Sequence, residues 1–97
     1  PGEGAARCYI AEREAKRALI ADIPRHALRM PGEGGSGRFA GWRQIDEHPL
    51  VLLKNRNAEI IVLPVDMAAL ARVKRLKMGE EVFFNEDGMI RKRGLHL

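Results

Sequence analysis

EIIVLPVDMAALARVKRLKMGEEVFFNEDGMIRKRG, residues Glu59–Gly94, decides the fold. Ile60, Ile61, Val62 and Leu63 form an apolar run rich in β-branched side chains, which reads as a strand closed by Pro64. Asp66 stands where a helix N-cap is needed for Met67–Leu76, because its carboxylate can accept an otherwise unpaired backbone N–H. Ala69, Val73 and Leu76 give that helix an apolar stripe, and Gly79 is placed to close it in a left-handed conformation. Val82, Phe83 and Phe84 read as the next strand. Asn85-Glu86-Asp87-Gly88 then turns the chain into a last strand over Met89–Arg93.

Upstream of this stretch the signals are of two kinds. Ala5–Ala21, AARCYIAEREAKRALIA, has the composition of a helix and ends before Pro24. Cys8, Ala11, Ala15, Ala18 and Leu19 share one side at helical spacing, a thin face that predicts a helix bridging to another domain, packed on another helix, or lying frayed on the surface. Glu12 and Lys16 are spaced for an ion pair one turn apart. Asp22–Met30 reads as an extended piece, since Pro24 biases Ile23 that way.

Pro31–Gly37, PGEGGSG, reads as a flexible loop. It lacks the Lys-Ser/Thr of a phosphate-binding P-loop and includes Glu33. Arg38–Ile45 is a strand with a bulge expected at Gly41. Asp46-Glu47-His48-Pro49 is a polar turn, and Leu50–Lys54 a second, almost wholly apolar strand. Asn55-Arg56-Asn57 returns it to Glu59–Leu63 as a hairpin.

The expected fold class is therefore α+β. An N-terminal helix precedes a small five-stranded, strongly curled β-sheet or barrel of SH3-like or OB-like size, with one short inserted helix. The expected division is a helix and extended lead-in over 1–30, a Gly-rich loop over 31–37 and a barrel module over 38–97. At 97 residues there is room for one small domain. One cysteine excludes an intrachain disulfide and suits a reducing, cytoplasmic setting. No apolar run reaches the roughly 20 residues of a membrane span, and no leader pattern is visible. The first residue is Pro1, so an excerpt of a longer protein is expected.

A catalytic site is not expected. A nucleophile needs a base in reach and a third group to orient it. Cys8 lies on the apolar side of its helix, Ser36 lies in the glycine loop, and Tyr9 has no evident partner. His26, His48 and His96 share no ligand spacing and read as turn or surface residues, so no metal or other cofactor is expected. The carboxylate pairs Asp46-Glu47, Glu80-Glu81 and Glu86-Asp87 fall in turns or at strand starts. Nothing points to a small-molecule substrate.

The formal charge of +4 leaves a polyanionic partner open. Arg72, Lys74, Arg75 and Lys77 cluster on and after the short helix, and Arg91, Lys92 and Arg93 lie on the last strand. Arg43 flanks Trp42, and Lys54 and Arg56 flank a hairpin turn. Small β-barrels bind single strands with a basic groove and stacking aromatics, and Trp42 is the candidate stacker. The alternatives are a solvated basic rim, or a protein-docking surface on the alanine face of the first helix.

Read in order, YIAEREAKR (Tyr9–Arg17), DIPRH (Asp22–His26), FAGWRQID (Phe39–Asp46), PLVLLK (Pro49–Lys54), EIIVLPVD (Glu59–Asp66), Gly79 and GMIRKRG (Gly88–Gly94) resemble the C-terminal accessory region of plasmid conjugative relaxases, the TraI/MobA-type mobilization proteins. The resemblance runs from Tyr9 to Gly94. Such relaxases nick DNA with a tyrosine and a histidine-held metal in an N-terminal domain. No residue of this chain matches that site, so none is carried over. The resemblance implies a non-catalytic appended domain that contacts DNA, single-stranded DNA included, or recruits relaxosome or type IV secretion proteins.

Overall fold

The structure, a computed structural model, describes residues 2–30, 32–86 and 90–92, and of 91 and 92 the backbone alone. The elements are α1 (Glu3–Arg17), β1 (His26–Leu28), β2 (Gly35–Ile45), β3 (His48–Lys54), β4 (Ile60–Pro64), α2 (Met67–Val73), β5 (Glu81–Phe84) and β6 (Ile90–Lys92). They form one mixed six-stranded sheet in the order β1-β4-β3-β2-β5-β6. The α+β class and the five expected strands are all present. A sixth, β1, comes from the presumed lead-in and runs parallel to β4. The pairing order is that of an open sheet, and closure into a barrel is not among the described pairings.

The sheet lies between two small cores, which explains the β3 sequence. Val51 and Leu53 face α2 together with Leu63, Leu70, Val73 and Val82. Leu50 and Leu52 face the other way, with Ala6 and Tyr9 of α1, Ile60 and Val62. A strand covered on both faces reads as a continuous apolar run rather than an alternating one. Each of these four β3 side chains is buried, contributing about 1.5–3 kcal/mol on removal from water.

β2 is long because it serves both halves of the sheet. Gly35–Arg38 pairs with β5, while Arg38–Ile45 pairs with β3. Between Phe39 and Trp42 the register slips by one residue at the expected bulge. Gly41 takes φ 111° there, a region that a Cβ disfavours. Without the extra residue, strict alternation would send Phe39 and Trp42 to opposite faces. With it, both lie on the α2 side.

The glycine segment is not a loop throughout. Gly35, Ser36 and Gly37 belong to β2 and pair with Phe84, Phe83 and Val82. Glycine is required at Gly37 because an added Cβ would sit 3.0 Å from both Leu53 Cβ and the Lys54 carbonyl oxygen. The residues that look like a linker are there to let strands approach.

The Asp66 cap is as expected: its Oδ1 accepts the Ala69 N–H at 2.7 Å. α2 stops at Val73, earlier than its apolar stripe predicts. Gly79 is left-handed, with φ 86°, yet it lies beyond the helix and donates its N–H to Phe39 O at 2.8 Å. It sets the entry to β5 rather than capping α2. The β2–β3 turn is only Asp46–Glu47; His48 and Pro49 already belong to β3.

α1 buries a face other than the alanine stripe. Ala6 and Tyr9 are buried, with Ile10 packed beside them. Cys8, Ala11, Ala15, Ala18 and Leu19 are exposed. The small-residue stripe lost to a stripe carrying one aromatic ring, because burial free energy scales with apolar area. His26, expected at the surface, is 7% exposed. Its ring meets Tyr9 edge-on at 5.7 Å between centroids, and its Nδ1 lies 2.8 Å from Pro24 O. Glu14 Oε2 accepts the His26 backbone N–H at 3.0 Å, tying helix to strand.

Candidate nucleic-acid interface

α2 and the segment leading from it to β5 deliver a run of cations to the bulged part of β2. Trp42 is half-buried at the margin of the α2-side core. Lys74, the first residue past α2, places Nζ 4.6 Å from the centre of the indole. Such a contact at an exposed site is worth about 0.5–1 kcal/mol. Met78 continues the patch, since a Cβ built on Gly41 would lie 4.0 Å from its Sδ. Arg75, Lys77, Met78, Gly79 and Glu80 line a shallow cleft of about 450 Å³. At its far side Arg38 Nη1 donates to Gly79 O at 3.1 Å.

The sequence-derived candidates divide on this geometry. Trp42 meets Lys74 at the end of α2, and Arg75 and Lys77 line the cleft that follows. Arg43 is adjacent in sequence but pairs with Leu50, whose side chain belongs to the α1-side core. Its guanidinium turns back to donate to Trp42 O at 2.7 Å. Arg72 is exposed on the last turn of α2. Lys54 is exposed at the end of β3, opposite Arg38. Arg56 is exposed at the tip of a turn that Asn55 holds, Oδ1 accepting from Asn57 N and Glu59 N at 2.9 Å each. Arg91 and Lys92 are placed by backbone only, and Arg93 lies outside the described residues.

Sequence reasoning named Lys74 among the cations but not as the residue that meets Trp42. A lysine shortly after a helix and a tryptophan far upstream carry no local signal of contact. The acidic neighbour Glu80 accepts the Lys77 N–H at 3.0 Å through Oε1.

Among the catalytic candidates, Cys8 is exposed. Tyr9, which had no evident partner in the sequence, is buried against His26. Ser36 lies in a strand, paired with Phe83. The His26 imidazole is held below its ordinary 6.5, first by burial; the Pro24 hydrogen bond opposes this, Arg13 lowers it, Glu14 raises it and Arg43 lowers it. Among the described residues no group of three or more His, Cys, Asp or Glu could hold a metal ion. No described helix is long and apolar enough to cross a membrane.

A mixed sheet between two helices, with one lysine resting on an indole, defines a small α+β domain. The chain belongs to the TraI-like C-terminal domain family, whose match covers residues 5–91. It is 42% identical over 98 residues to a Protein TraI of Escherichia coli, covering 94% of this chain and 13% of that protein. A second Escherichia coli Protein TraI is 44% identical over 81 residues, covering 84% of this chain and 11% of its own length. The chain thus spans a small part of the curated relatives it matches, and the resemblance to the C-terminal region of TraI-type proteins holds.

Proposed function

We propose that this domain is a non-catalytic accessory part of a conjugative relaxase and that it makes nonspecific contact with DNA. The observation that carries the reading is the Lys74 ammonium resting on a half-buried Trp42, with Arg75 and Lys77 following in the segment after α2, where they line a cleft with Met78, Gly79 and Glu80. In the bound state Lys74 moves from the indole to a phosphate and a base takes its place on the ring. Arg75 and Lys77 neutralise neighbouring phosphates. Arg72 borders this surface, while Arg43, Lys54, Arg56, Arg91, Lys92 and Arg93 add to the positive field. Such a role belongs in the bacterial cytoplasm.

The test is binding of a labelled oligothymidine across a salt series. Each neutralised phosphate contributes about −0.7 to the slope of log affinity against log salt for a single strand. Three contacts therefore give a slope near −2, and Lys77→Ala reduces its magnitude by about 0.7. Trp42→Phe keeps the core filled and weakens binding by a few-fold. No binding at about 50 mM salt overturns the reading.

A second reading, docking of relaxosome or secretion proteins, draws on one observation. Leu19 is 88% exposed, beside the exposed Ala15 and Ala18. Loss of partner capture in Leu19→Arg and Ala15→Arg, with DNA binding absent, would favour it.

A further inference from the structure

Past Arg38, β2 loses its second neighbour. β5 pairs with Gly35–Arg38 only, and the segment before it covers one residue more. Phe39 donates its N–H to Glu80 O and accepts the Gly79 N–H, both at 2.8 Å. Trp42, Arg43, Gln44 and Ile45 have β3 on one side and, among the described residues, no strand on the other. The register decides which backbone groups face that open side. Gln44 stands opposite Pro49, which has no N–H and whose carbonyl accepts the Val65 N–H at 3.1 Å, just past β4. The N–H and C=O of Gln44 therefore point away from β3, and those of Trp42, two residues back, point with them. The Trp42 carbonyl is met by its own neighbour's guanidinium, Arg43 Nη1 donating at 2.7 Å. The Trp42 N–H and the Gln44 N–H and C=O bond to no described residue. Arg43 and Gln44 are exposed, so this edge meets solvent. Gly79 and Glu80 on Phe39 bound it at one end and the Asp46–Glu47 turn at the other, which leaves room for about three residues.

We propose that this edge takes a short, extended, acidic peptide as an added strand, bonded main chain to main chain at Trp42 and Gln44, with a carboxylate of the peptide opposite Arg43. This goes beyond the DNA-contact reading and stands without it, since the bonding groups are backbone atoms of β2. A row of unpaired N–H and C=O groups is a template for strand addition. Trp42 and Gln44 form the hydrogen-bonded pairs. The peptide residue between them faces Arg43 in the non-hydrogen-bonded pair, where side chains come closest across the strands. When a peptide N–H takes the Trp42 carbonyl, the Arg43 guanidinium is released to the peptide carboxylate. Without peptide it stays on that carbonyl, a charged guard on an unpaired edge. Lys74 on the indole and Arg75 and Lys77 in the neighbouring cleft add positive charge. Of the nearby acids, Asp46 and Glu47 lie in the turn beyond the pairing positions, and Glu80 Oε1 already accepts the Lys77 N–H. A second copy of the chain is disfavoured as occupant. A two-fold pairing that uses Trp42 and Gln44 of both copies matches each Trp42 with the other copy's Gln44. Arg43 then lies on the axis, directly opposite its own counterpart, and like charges so placed repel.

The experiment adds an end-blocked, fluorescein-labelled peptide, Thr-Thr-Val-Glu-Val-Thr-Thr, to the isotope-labelled 97-residue chain, followed by anisotropy and amide NMR. The largest amide shifts are expected at Trp42, Arg43 and Gln44. Replacing the central Glu of the peptide by Lys should weaken binding by about tenfold, and Arg43→Glu should reverse that preference. N-methylation of both valines removes the peptide donors that face the edge and should weaken binding by about tenfold or more. Gln44→Pro removes an edge donor that β3 does not use and should act in the same direction. Thermal melting verifies the fold of each variant, and the N-methylated peptide makes the same test on the unaltered protein. Equal affinity for the Glu and Lys peptides overturns the proposal, as does undiminished binding of the N-methylated one. So do shifts confined to residues outside β2, or no binding at about 1 mM peptide. A dimer whose Trp42 and Gln44 amides are already protected from exchange would assign the edge to self-association and also overturn it.

Discussion

Replacing Gly37 by alanine puts a methyl group 3.0 Å from Leu53 Cβ and 3.0 Å from the Lys54 carbonyl oxygen. Neither neighbour can step aside. Leu53 is fully buried, and the carbonyl belongs to the strand next to β2. The β2–β3 spacing must open by a few tenths of an ångström, or the Leu53 side chain must shift by as much. Overpacking of this kind costs about 1–3 kcal/mol. A flexible linker would respond with the opposite sign. There alanine lowers the entropy of the unfolded chain and stabilises by about 0.4–1 kcal/mol. Urea unfolding separates the two directly. With a slope of about 2 kcal/mol per molar for a small domain, the packed-strand reading lowers the midpoint by about 0.5–1.5 M. Gly4 is the matched control, because a Cβ there meets nothing within 4 Å and it sits inside α1. Gly4→Ala should stabilise by about 0.5–1 kcal/mol through helix propensity. A Gly37→Ala protein as stable as the parent would refute the claim that Gly35–Gly37 is packed strand.

Leu53→Ala should destabilise by about 2–5 kcal/mol, seen as a much lower melting temperature, since it opens a cavity in the strand covered on both faces. Asp66→Ala removes the N-cap bond to Ala69 N and should lower stability by about 1 kcal/mol, with Asp66→Asn recovering most of it. The lowered pKa of His26 gives stability a pH dependence of known sign. The unfolded chain takes up the proton first, so stability is complete above about pH 6.5 and falls as pH drops through that value, levelling once the folded imidazole is also charged. Urea midpoints between about pH 5 and 8 report this, and His26→Gln should flatten the curve. Cys8, exposed on α1, should react with a thiol reagent in the native protein as fast as in urea; slow native labelling would contradict its placement.

Much of the fold was legible wherever the cause is local. Asp66 caps α2 because its carboxylate reaches an N–H three residues on. Asp46 and Glu47 turn β2 into β3, and Asn55 organises the next turn through its own side chain. Gly41 announces a bulge because a residue without Cβ relieves the strain of its φ. In the continuous apolar run of β3, the sequence states that both faces are covered, though not by what.

The misreadings share one physical cause, that the deciding partner lies far along the chain. Gly35 and Gly37 read as linker because composition cannot show that Phe84 and Leu53 crowd them. His26 reads as surface until Tyr9 and Glu14 arrive from α1. The exposed alanine stripe was indistinguishable by periodicity from the buried Ala6–Tyr9 stripe. Only the sheet, by accepting the ring that buries more area, chose between them. The candidate site follows the same division. The sequence by itself determined that cations collect after α2 and that one tryptophan lies in a bulged strand. Tertiary structure alone decided that Lys74 meets Trp42 and that Phe83, between the buried Val82 and Phe84, stands in the open. Charge and residue type are properties of the chain, whereas neighbourhood comes from long-range pairing in the sheet, and each one-residue shift of register exchanges its inner and outer faces.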